Sequence, residues 1–103
     1  IKLIYSPRVY IPNTFSPNGD GLNDKMQLFG LEQIELIKEL SIFNRWGELI
    51  YQIKNQDASL QSDFWDGSFK GSPVNPGVYI FIAEFKTKDQ KIIKYSGDIN
   101  LIR

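Results

Sequence analysis

Cysteine and histidine are both missing from this 103-residue sequence. Without cysteine there is no disulfide framework, no thiolate zinc site and no cysteine nucleophile. Without histidine, His-assisted nucleophilic catalysis and the commonest transition-metal ligand are lost as well. Acid–base chemistry is left to carboxylates, lysine and tyrosine. Charge of one sign is also in short supply. Lys+Arg and Asp+Glu number 12 each, so the formal charge is zero, and the balance gives no electrostatic reason to expect nucleic acid. The longest apolar run, Val78 to Ala83, is far shorter than a membrane span. The chain starts at Ile1, and nothing in it resembles a signal peptide. We therefore expect residues 1–103 to be one domain cut from a longer protein. A cysteine-free domain needs no oxidant, which leaves its compartment open.

Turning to what is present, hydrophobic residues make up 42% and aromatics 14%, a globular composition with enough apolar surface for one core. Strand patterns dominate. Leu40, Ile42 and Asn44 alternate with Ser41, Phe43 and Arg45, and Leu49, Tyr51 and Ile53 with Ile50 and Gln52. Val78 to Phe85 reads as a strand buried on both faces. From Lys91 to Ile102, Ile93, Tyr95, Gly97, Ile99 and Leu101 share a face. A further strand is expected at about Lys25 to Phe29. Leu31 to Leu40 is ambiguous, with room for one helical turn before a strand at Leu40. Arg45-Trp46-Gly47 and Lys88-Asp89-Gln90 read as hairpin turns, with Gly47 supplying positive φ. Residues 54–77 are rich in turn signals. About seven short strands predict an all-β, Ig-like antiparallel β-sandwich. Phe43, Trp65, Tyr79, Phe81, Ile93 and Ile99 are its expected core.

Each candidate site has a functional reading and a plainer one. Ser16-Pro17-Asn18-Gly19-Asp20-Gly21-Leu22-Asn23-Asp24 offers Asn18, Asp20 and Asp24 as calcium ligands. Phe29 stands where an EF-hand places glutamate, so the loop is not an EF-hand. Its composition is favoured as a multiple turn in which Asn and Asp side chains cap backbone N–H groups, with no cofactor needed. Phe64-Trp65-Asp66-Gly67 offers either a sugar-stacking tryptophan or a buried one followed by a turn; burial is favoured. In Asn44-Arg45-Trp46-Gly47, Arg45 and Trp46 are either a partner hot spot or a stack that stiffens the turn. Asp20, Asp24, Asp66 and Glu48 are too undefined in position to make a hydrolytic pair, so no catalytic residue is assigned and no enzyme is expected. Lys86, Lys88, Lys91 and Lys94 either meet an acidic surface or protect a sheet edge.

Five segments in order carry a resemblance: Ile11 to Asp24, Ile42 to Gly47, Phe64 to Gly67, Asn75-Pro76-Gly77-Val78-Tyr79, and Gly97 to Arg103. From about residue 9 to its end, the sequence resembles the gliding motility-associated C-terminal domain, the type B sorting domain of Bacteroidota type IX secretion cargo. The family's Ser-Pro-Asn-Gly-Asp-Gly pattern matches Ser16 to Gly21, and Asn-Arg-Trp-Gly matches Asn44 to Gly47. Trp-Asp-Gly matches Trp65 to Gly67, and Pro-Gly-x-Tyr matches Pro76 to Tyr79. The Tyr-Pro-Asn turn often seen in the family is replaced here by Glu35-Leu36-Ile37-Lys38-Glu39. The resemblance implies an Ig-like sandwich at the C-terminus of a large surface or secreted protein, often an adhesin. It also implies passage through the periplasm to the cell surface or medium, guided by outer-membrane secretion components including a PorP/SprF-type protein. The runner-up expectation is a calcium- or carbohydrate-binding adhesion module. The final dozen residues are expected to be an integral strand, so that the signal is a folded shape.

Overall fold

The computed structural model describes residues 9–17, 19, 24–60 and 64–102. It is an all-β sandwich of seven strands: β1 (Thr14–Phe15), β2 (Ile34–Phe43), β3 (Leu49–Asp57), β4 (Ser68–Phe69), β5 (Ser72–Pro73), β6 (Gly77–Thr87) and β7 (Ile92–Leu101). The main sheet has the order β1-β7-β6-β2-β3, and β4 and β5 form a separate hairpin. All pairings are antiparallel except β1 with β7, which run parallel. The expected tail strand is integral, since β7 pairs with β6 along its whole length and with β1 at Asn100 and Leu101.

Period-two alternation sets which face is buried. Ile37, Leu40 and Ile42 of β2, Phe81, Ala83 and Phe85 of β6, and Ile99 and Leu101 of β7 point into the core. The opposing layer is β4–β5 together with extended segments. Tyr10 and Phe29 bridge each other, and Met26 exchanges backbone hydrogen bonds with Phe64 and Trp65. Val9, Phe15, Met26, Leu28, Phe64 and Trp65 are buried in that layer. Gly97 lies opposite Phe81, and a Cβ there would stand 3.0 Å from the Phe81 ring, so any side chain at this position would press the ring aside.

Four expectations need correction. The strand expected at Lys25 to Phe29 is extended chain with isolated bridges at Gln27 and Phe29, because it exchanges bonds with loop backbone rather than a continuous strand. The ambiguous segment is a short 3₁₀ turn, Leu31–Gln33, and β2 begins at Ile34. Phe43 is only half-buried and pairs with Ile80 and Leu49 on the outer face. Finally, β6 is buried on one face only: Val78, Ile80 and Ile82 are 51%, 41% and 45% exposed, since no described element covers the outer face of the sheet. Of the other expected core residues, Trp65, Tyr79, Phe81 and Ile99 are buried, and Ile93 packs against the core from the half-buried shell.

Candidate functional site

The register brings four separated motifs to one end of the sheet. β2 ends and β3 begins there, on either side of Asn44–Glu48. β6 enters there after Asn75-Pro76, with Val78 opposite Asn100, and β1 leaves there after Phe15 pairs with Leu101. Nothing in the spacing of the motifs announces this convergence; it is a product of strand order.

Beneath that end lies an aromatic trio, each ring from a different motif. Trp65 is fully buried, 5.4 Å centroid to centroid from Phe15 and 5.1 Å from Tyr79. Its Nε1–H donates to the Ser68 carbonyl at 2.9 Å, so the indole is satisfied where it lies and is no platform for sugars. Asp66 accepts bonds from the Ser68 N–H and hydroxyl, and the Gly67 carbonyl accepts from Val74 N–H at 2.9 Å, closing the β4–β5 hairpin. Gly67 has φ 81. The Tyr51 hydroxyl has its pKa raised, first by burial and then by the negative charge of Asp66. The Tyr79 hydroxyl donates to the Asn75 carbonyl at 2.6 Å and ties down the turn through Pro76 and Gly77.

The Asn44–Gly47 turn divides into two roles. Asn44 Oδ1 accepts bonds from the N–H groups of Trp46 and Glu48, and its Nδ2 donates to Glu48 Oε1 at 2.9 Å. Gly47, at φ 82, donates its N–H to the Asn44 carbonyl. These two residues build the turn. Arg45 and Trp46 are left to project from it. Trp46 is 78% exposed, and the Arg45 guanidinium lies 4.7 Å from the centre of its ring. The stack is therefore present, and it sits at an exposed tip.

Ser16 and Pro17 are half-buried just beyond β1. Asn18, Asp20, Gly21 and Asn23 lie outside the described residues, so of the three calcium candidates only Asp24 is placed. Asp24 Oδ1 accepts a bond from Gly19 N–H at 3.0 Å, the side-chain-to-backbone contact of a turn. At the opposite end of the sheet, Lys91 pairs with Asp89 at 3.8 Å, and Lys94 pairs with Glu84 at 3.6 Å.

Between the Asn44–Glu48 turn and the β4–β5 hairpin lies an open groove of about 580 Å³. Arg45, Trp46, Ile50, Phe69, Val74 and Val78 line it together with Pro76 and Gly77. Phe69 and Val74 carry no sequence signal for a site, because the Trp65–Ser68 bond and the Gly67–Val74 closure bring them there through tertiary contacts.

The fold and this end of it define a class: a β-sandwich whose signature residues shape loops around an exposed surface, as recognition domains do. The chain belongs to a particular family of that class, the CHU_C type IX secretion signal domains, whose family model matches residues 9–101. Membership makes it a sorting domain and implies contact with the secretion machinery and export to the cell surface or medium. No curated protein matches the sequence. No helix among the described residues is long and apolar enough to cross a membrane.

Proposed function

We propose that this domain is a non-catalytic address on a larger cargo protein, read as a folded surface during passage through the periplasm. The reader is an outer-membrane component of the PorP/SprF type. One observation carries the reading: Phe15, Asn44–Gly47, Trp65–Gly67 and Pro76–Tyr79, far apart in sequence, meet at one end of the sheet. Most of their side chains hold loops in place, which leaves a fixed surface for a receptor.

The test is a reporter protein fused ahead of this domain in a strain with type IX secretion. Deleting residues 91–103 removes β7, the strand between β1 and β6. The reporter is then expected in the periplasmic fraction. Normal release of the truncated fusion to the surface or medium would refute the reading.

A further inference from the structure

The groove beside Arg45 shows what kind of partner this end of the domain accepts. The guanidinium is exposed and lies against the Trp46 ring, and among the described residues no carboxylate forms a salt bridge with it. The other charged group lining the groove is Glu48, whose Oε1 already accepts the Asn44 Nδ2–H that locks the turn. The site therefore presents one uncommitted cation. Stacking on the indole holds the planar fork in position, which lowers the ordering cost of a bidentate contact. Ile50, Phe69, Val74 and Val78 supply apolar walls next to that cation.

Building on the sorting role, we propose that this groove binds an extended peptide segment of the sorting partner, with a side-chain carboxylate on Arg45 and neighbouring aliphatic side chains against Ile50, Val74 and Val78. Charge complementarity chooses the occupant, since guanidinium and carboxylate match as paired donors and acceptors. A neutral sugar suits the site less well, because the guanidinium occupies a face of Trp46 on which a sugar ring would stack.

Two measurements test this. In the first, the isotope-labelled domain is titrated at millimolar levels with acetyl-Ile-Asp-Ile-Asp-Ile-amide, with the Asn counterpart of that peptide, and with a neutral maltohexaose. The Asp peptide is expected to shift the Trp46 indole and the Ile50, Val74 and Val78 amide signals. The Asn peptide, or Arg45→Gln with the Asp peptide, is expected to bind about three- to tenfold more weakly. Equal binding of the two peptides, no shift in the groove, or a groove response to maltohexaose alone overturns the proposal. In the second, Arg45→Glu in the full reporter fusion is expected to retain the reporter in the periplasm, with the melting temperature of the purified domain unchanged. Normal export of Arg45→Glu, while the 91–103 deletion is retained, overturns the groove proposal and leaves the sorting role standing. Export of the deletion overturns the sorting role itself.

Discussion

Trp65 is held by Phe15 on one side, Tyr79 on another and the Ser68 carbonyl at its Nε1. Its shape and its hydrogen bond make separate contributions, and two substitutions tell them apart. Trp65→Ala empties a fully buried site and is expected to cost about 3–5 kcal/mol. Trp65→Phe keeps much of the ring contact but leaves the Ser68 carbonyl without its donor, a cost of about 1–3 kcal/mol. Urea denaturation of both variants checks the order; equal costs would mean that the ring contact kept by phenylalanine contributes nothing, and a Trp65→Phe cost near zero that the Nε1 bond contributes nothing. Asn44 belongs to the same argument. The Asn44–Gly47 turn holds its shape by using a side-chain amide to satisfy turn N–H groups, and only its Arg45 and Trp46 have their side chains turned outward.

The β6–β7 hairpin shows how an element can carry its own pH dependence. The Thr87 hydroxyl donates to Asp89 Oδ1, and Lys91 N–H donates to Thr87 Oγ1 at 2.9 Å. The Thr87 bond, foremost, and the charge of Lys91 hold the Asp89 carboxyl below the usual carboxylate range. A carboxyl whose folded pKa is lowered contributes stability above its unfolded pKa of about 3.9 and loses it as pH falls through the lower folded value. Asp89→Asn is therefore expected to melt below the wild type at pH 5–7, with the gap closing as the pH drops below about 3.9. A gap that persists in acid would show that the carboxylate charge is not its source. This hairpin was legible in the sequence because Lys88-Asp89-Gln90 interrupts two strong apolar patterns. The long strands β2, β3, β6 and β7 were legible for the same reason. The Val78–Phe85 run misled because apolar composition does not say whether a second layer covers it. Lys25–Phe29 misled because strand-like residues also serve in extended chain that bonds to loops. The motif residues were legible singly, but their meeting depends on strand order, and the groove walls Phe69 and Val74 on a tertiary closure, neither of which any local pattern encodes.

At the scale of the whole molecule, the surface around Arg45 and Trp46 exists only while the core beneath it is packed. The Asn44–Gly47 turn joins β2 to β3, the Pro76–Gly77 turn feeds β6, and Trp65 and Tyr79 clamp the layer between them. A linear peptide signal would be indifferent to the stability of these contacts, whereas a folded one must follow it. A loss of about 3–5 kcal/mol is a large share of the 5–15 kcal/mol that holds such a domain together, and in a domain of this size it lowers the melting temperature by well over 10 °C. Trp65→Ala is thus expected to give a temperature-sensitive export defect: reporter reaches the surface or medium below the melting temperature of the variant domain and stays in the periplasm above it. Arg45→Glu, which leaves the core untouched, is expected to fail at every growth temperature. Fractionation of cells grown on either side of the Trp65→Ala transition, set beside melting curves of the purified domain, makes the comparison. Full export of Trp65→Ala at a temperature where that domain is unfolded would show that the machinery reads sequence rather than shape.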